Sequence, residues 1–99
     1  MTILALEVEP IAVNVTVTDD DLVVNLTDGR CIIVPLAWYP RLLYATPAER
    51  QNFQLLGDGY AIEFHDLDEH IGIEGLLAGR RSGESQKSLA RWLDERKSK

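Results

Sequence analysis

The run His65-Asp66-Leu67-Asp68-Glu69-His70 gathers two imidazoles and three carboxylates, side chains that ligate divalent cations. Metal binding needs spacing as well as ligand type. No zinc-protease or EF-hand spacing is present, and six consecutive residues cannot all point inward. The run reads instead as a polar loop between a strand and a helix, anchored by Leu67 and Ile71. Its acids would favour the start of the following helix. Nucleophilic chemistry has no better footing. Cys31, Ser82, Ser85 and Ser88 could each pair with His65 or His70. However, no G-x-S-x-G elbow or cysteine-protease signature occurs, and the serines cluster at a helix start, where capping accounts for them. Gly72, Gly75 and Gly79 are not followed by the Gly-Lys-Ser/Thr of a phosphate loop. The expectation is therefore a protein with no metal or other cofactor and no catalytic residues, not an enzyme.

Trp38, Tyr39 and Arg41 are the more suggestive set. Tyr, Trp and Arg dominate binding hot spots, because each joins a large contact area to a polar handle. Flanking Pro35 and Pro40 pin the segment, so little entropy would be lost on ordering it. The structural alternative is that Trp38 closes the open end of a core and Arg41 pairs with a carboxylate. Trp92 carries the same two readings: partner anchor, or the residue that docks the last helix. With Arg50, the candidate partner-binding set is Trp38, Tyr39, Arg41, Arg50 and Trp92.

The elements that must hold these residues can be read from periodicity. Ile11, Val13, Val15 and Val17 alternate with Ala12, Asn14, Thr16 and Thr18, a β-strand pattern. Leu22, Val24 and Leu26 alternate in a second strand, and Arg30 to Leu36 form a third. Two-residue turns at Asp19-Asp20 and Asp28-Gly29 would pair Val17 with Leu22, Val15 with Val24, Val13 with Leu26, Leu26 with Cys31 and Val24 with Ile33. All these side chains then share one face. Thr46-Pro47-Ala48-Glu49 is a capping box that starts a short helix. Phe53–Leu56 and Tyr60–Phe64 flank Gly57-Asp58-Gly59 as a second hairpin. Ile73 to Ala78 read as a short helix capped by Gly79, and Ser85 to Lys97 as a helix with Leu89, Trp92, Leu93 and Arg96 on one face. The expected fold class is α+β: a small antiparallel meander plus a second hairpin, with short helices and a C-terminal helix packed on one face. Residues 1–79 form the α+β unit and residues 80–99 a basic linker and helix. The expected core holds Val13, Val15, Leu22, Val24, Leu26, Cys31, Ile33, Ile62, Leu76 and Leu77.

The net charge of −6 conceals an asymmetry: residues 1–79 carry −10 (three bases, thirteen acids) and residues 80–99 carry +4 (seven bases, three acids). An acidic body repels phosphate backbones, so nucleic acid is not expected on it. The basic tail leaves three options open: nucleic acid, an acidic partner, or the chain's own body. Cys31 is the sole cysteine, which rules out an internal disulfide and fits a reducing cytoplasm. The apolar strand around it suggests a packed thiol. The N-terminus shows no signal peptide, and no apolar run reaches membrane-spanning length. The oligomeric state is not readable.

Asp28-Gly29-Arg30, Val34-Pro35-Leu36-Ala37-Trp38-Tyr39-Pro40-Arg41-Leu42, and Ala45-Thr46-Pro47-Ala48-Glu49-Arg50 together resemble a bacterial family catalogued as domain of unknown function 2442. Gly57-Asp58-Gly59-Tyr60-Ala61-Ile62, Leu67-Asp68-Glu69-His70-Ile71 and Leu76-Leu77-Ala78-Gly79 continue the likeness, which runs from about Val13 to Gly79. The resemblance implies a small α+β domain with an antiparallel sheet. Some members carry a helix-turn-helix beyond this domain, and some lie beside a small partner protein in a toxin–antitoxin arrangement. This sequence has Glu63-Phe64 where many members have His-Trp, and Asp68-Glu69-His70 where many have Asp-Glu-Asp. Residues 80–99 hold one helix, too few for a helix-turn-helix. The family supplies no catalytic residues to carry over. The expectation is a cytoplasmic binding or regulatory module whose partner is another protein, of toxin–antitoxin type, with an acidic body suited to a basic partner. The alternative is a nucleic-acid or small-ligand accessory domain using the basic C-terminal helix.

Overall fold

A computed structural model describes residues 10–97. The first nine residues of the 1–79 unit, where the reading of no signal peptide falls, and the last two of the 80–99 segment lie outside the described residues. The fold is α+β, built from two three-stranded antiparallel sheets with short helices and one longer C-terminal helix.

The first sheet is a meander of β1 (Ala12–Val17), β2 (Asp21–Leu26) and β3 (Cys31–Pro35). Asp19-Asp20 is the expected two-residue turn. Thr18 closes it through a backbone bond to Asp21 (2.9 Å), and its Oγ1 accepts the Asp20 and Asp21 N–H groups. Val17 pairs with Leu22 and Val15 with Val24, as the alternation requires.

The second turn differs from the expected register. The Leu26 N–H donates to Arg30 C=O (2.8 Å), so the loop holds three residues, Thr27 to Gly29, with Gly29 at φ 93°. A type I turn followed by a left-handed glycine makes this loop. The extra residue moves β3 by one place, and a one-residue slip turns every side chain over. Cys31 pairs with Asn25, and Ile33 pairs with Val23. Cys31 and Ile33, expected in the core, are exposed, while Val34 is buried in their stead. Val13 leaves the core for a similar reason. The ladder shifts between Ala12 and Asn14, so Ala12 faces Leu26 from the core and Val13 bulges outward, 57% exposed.

Beyond β3, a 3₁₀ turn at Leu36–Trp38 leads to α1 (Pro40–Leu43) and then α2 (Pro47–Gln51). The capping box is formed: Thr46 Oγ1 accepts the Glu49 N–H (3.1 Å) and Glu49 Oε1 accepts the Thr46 N–H (2.8 Å). The second sheet is β4 (Phe53–Leu56), β5 (Ala61–Phe64) and β6 (Glu69–Gly72), followed by α3 (Ile73–Leu77). The stretch read as a polar loop is thus a 3₁₀ turn at His65–Leu67, a left-handed Asp68 (φ 51°), and strand β6. Four residues of mixed polarity carry no strand signal of their own; pairing with β5 supplies it. In α3, Leu76 faces the core while Leu77 points away, 37% exposed, contrary to its core placement. Finally α4 (Gln86–Lys97) follows Ser85, whose Oγ accepts the Ser88 N–H (3.0 Å).

Both sheets feed one core, which holds Leu22, Val24, Leu36, Leu42, Ile62, Phe64, Leu67 and Ile73 at the deepest positions. The sheets meet where the Ala12 N–H donates to Gly59 C=O (2.8 Å). No helix among the described residues is long and apolar enough to cross a membrane.

Candidate functional site

The five sequence candidates do not form one surface patch. Tyr39 is buried, and its hydroxyl donates to the Arg80 C=O (3.0 Å), so it offers no contact area to a partner. Burial, with Glu69 nearby, raises its pKa above the ordinary phenol value. Arg50 is turned to its own chain: Nε donates to Leu42 C=O (2.9 Å) and Nη2 to Leu43 C=O (2.8 Å), satisfying the carbonyls at the end of α1. Arg41 and Trp92 come together. Trp38 lies half-buried against the core, apart from that pair and beneath Arg81.

Arg41 sits where α1, the His65–Leu67 turn and the linker converge. Its Nη1 donates to Leu67 C=O (2.9 Å), its Nη2 to Glu84 Oε2 (2.7 Å), and its Nε to both Glu84 oxygens (3.0 Å each). Ser88 Oγ also donates to Glu84 (2.9 Å). Hydrogen bonding from Arg41 holds the Glu84 carboxyl below the usual range, and Glu84 in turn raises Arg41. The Trp92 ring lies beneath two guanidiniums, with Arg41 5.2 Å and Arg96 4.5 Å from its centroid. Arg96 is bidentate on Glu49, at 2.8 and 2.7 Å. That bond and the cap at Thr46 bring the Glu49 pKa down to about 2. This cluster fixes α4 to the body. It fills the Trp92 role as a helix anchor, assisted by ion pairs that span 43 and 47 residues.

A second constellation lies along the linker. Arg81 stacks over Trp38 at 4.9 Å. Among the described residues neither Arg80 nor Arg81 has an ion-pair partner. The linker backbone is held by Arg80 N–H to Gly75 C=O (2.9 Å) and Ser82 N–H to Trp38 C=O (3.0 Å). Between it and β6 runs an open groove bordered by Glu69, His70, Gly72, Arg80 and Arg81. Glu69 is half-buried there, and desolvation raises its carboxyl pKa despite Arg41 nearby. Sequence reasoning passed over Glu49, Glu84 and Arg96 as partners, and passed over Arg80 and Arg81. Only the pile-up of charge in residues 80–99 hinted at them. The His65–His70 residues do not converge: among the described residues no three His, Cys, Asp or Glu side chains could hold a metal.

The family model described as protein of unknown function DUF2442 matches residues 12–82. The chain belongs to this family. Its DUF2442 domain is similar in fold to two solved structures. One is a crystal structure of a protein of unknown function from Rhodospirillum rubrum ATCC 11170, with TM-score 0.67 and 23% identity, covering 80% of this chain and 98% of that one. The other is the solution structure of an uncharacterized protein from Chromobacterium violaceum, with TM-score 0.63 and 24% identity, covering 82% of this chain and 74% of that one. No curated protein matches the sequence. The DUF2442 match ends at residue 82, so α4 lies beyond it while Arg41 and Glu49 lie within it. Two arginine–carboxylate pairs, Arg41–Glu84 and Arg96–Glu49, thus tie the segment beyond the DUF2442 match to the residues within it.

Proposed function

We propose that this protein is a non-catalytic protein-binding module whose partner docks on the linker face, where Trp38, Arg81 and Arg80 meet. The observation that supports this reading is the Arg81 guanidinium lying over Trp38, beside a second arginine that likewise lacks an ion-pair partner among the described residues. An aromatic side chain and two arginines on a hydrogen-bonded backbone have the composition of an interface hot spot. The sense of charge is opposite to that expected from composition. The acidic body suits a basic partner, whereas the best-built surface is cationic. Pairing with one small partner protein, as half of a two-gene system, is the form of the module we favour. A reducing cytoplasm suits the exposed, unpaired thiol of Cys31.

Reading α4 as a phosphate-binding helix has less support, because its outward residues mix Lys87, Arg91 and Lys97 with Asp94 and Glu95. The test of the module is partner capture from the source cells by immobilised wild-type protein, Arg81→Glu and Trp38→Ala. Charge reversal at Arg81 should cut capture at least about tenfold with little change in melting temperature, the loss expected of a hot-spot arginine. Capture that is indifferent to both substitutions sinks the proposal.

A further inference from the structure

We infer that the open edge of β6 is a docking groove for an extended, acidic segment of a partner protein, which joins the second sheet as an added strand. The inference rests on the protein-binding reading above and supplies the chemistry of the partner.

Among the described residues β6 pairs with β5 on one side only. The Ile73 N–H donates to Tyr60 C=O (2.9 Å), which makes 60/73 a hydrogen-bonded pair. Antiparallel ladders alternate, so Ile71 and Glu69 turn their backbone groups toward β5, while Gly72 and His70 turn theirs to the open edge. Gly72 thus presents its N–H and C=O to that edge, and His70 its C=O. The His70 N–H lies near the Glu69 carboxylate. An incoming strand would take that carboxylate's place.

The opposite wall is the linker, already ordered by its bonds to Gly75, Tyr39 and Trp38. A wall that is fixed beforehand costs little entropy on binding. The groove between β6 and the linker is open, with a volume of about 180 Å³, and nothing lies within 4 Å of where a Cβ would stand at Gly72 or Gly75. Arg80 and Arg81 are exposed along the wall, and neither has an ion-pair partner among the described residues. Ladder hydrogen bonds would supply affinity, and carboxylates on alternate residues of the added strand would meet the guanidiniums.

The test uses a fluorescein-labelled octapeptide of alternating Thr and Glu, its Lys-for-Glu counterpart, and the full chain, read by fluorescence anisotropy. Gly72→Pro is the decisive variant. Gly72 has φ −78°, which proline tolerates, and the change removes only the outward N–H. The acidic peptide should bind, and the lysine peptide at least tenfold more weakly. Gly72→Pro should weaken the acidic peptide by about tenfold, the effect of one lost ladder bond, with an unchanged circular dichroism spectrum. Glu69→Ala should tighten it, because the His70 N–H is freed and the groove's own carboxylate is gone. No binding of the acidic peptide, equal binding of the two peptides, or indifference to Gly72→Pro overturns the inference. Partner capture that falls with Arg81→Glu but not with Gly72→Pro keeps the binding module and discards strand addition.

Discussion

Two glycines at positive φ separate strain from collision. Gly29 has φ 93° and open space where a Cβ would stand, whereas Gly59 has φ 113° and lies against the Ala12 backbone carbonyl. Gly29→Ala should cost about 1 kcal/mol from backbone strain alone. Gly59→Ala adds a clash with backbone, at the point where the two sheets are hydrogen-bonded, and should cost roughly 2–4 kcal/mol. Urea unfolding of both variants measures the difference; equal losses would mean that the sheet junction gives way freely. Cys31 provides a chemical check on the same loop. With the three-residue connection it faces solvent, so Ellman's reagent should label it fully in the native protein. A protected thiol would restore the two-residue turn. That Gly29 takes a left-handed conformation was legible, because Asp-Gly between alternating strands demands it. Loop length was not, because two and three residues both suit Asp-Gly, and the difference decides which face Cys31 and Ile33 occupy.

At the scale of elements, local signals were readable and long-range ones were not. The Thr46 capping box, the Phe53–Phe64 hairpin and the C-terminal helix itself rest on contacts within a few residues, and all are present, although of the expected stripe only Trp92 packs against the core. Strand β6 and the docking of α4 depend on partners far along the chain. The Arg96–Glu49 pair is the clearest instance, since Glu49 already had a complete local role as a cap. Its pH dependence follows from the lowered pKa. The folded value of about 2 lies below the ordinary carboxylate value of 4.5. A depressed carboxylate stabilises the fold fully above its unfolded pKa, and the contribution fades as pH falls toward the folded one. Arg96→Ala should therefore be less stable than wild type at neutral pH. The gap should narrow as pH drops from 4.5 to about 2, followed by chemical denaturation at each pH. A gap that stays constant across this window would assign the effect to packing of the Arg96 stem on Trp92.

For the whole molecule, the question is how firmly α4 belongs to the body. The helix has no buried residue, and it attaches through half-buried Trp92 and the Arg96–Glu49 pair, with the Arg41–Glu84 pair just ahead of it. The body it meets carries −10 over residues 1–79, and the segment 80–99 carries +4, so attraction is general as well as local. Salt screens the general attraction between the two segments, with a Debye length near 10 Å at about 0.1 M and about 3 Å at 1 M, and it weakens the two partly buried pairs less. A chain ended at residue 82, the limit of the DUF2442 match, keeps both sheets and the shared core. It should unfold cooperatively, at a melting temperature lower by roughly 5–15 °C, corresponding to about 1–2 kcal/mol for the lost Trp92 contact. Sodium chloride should do part of the same work on the full chain. With Trp38→Phe leaving Trp92 as the only indole, emission should shift to the red between low salt and about 1 M, well below the unfolding transition. If emission is constant while the truncated chain fails to fold, α4 is an integral part of the core and the charge asymmetry is incidental. If emission shifts and the truncated chain folds, the helix is an appendage held by its charges, and ionic strength sets how much of the Arg41 face is open.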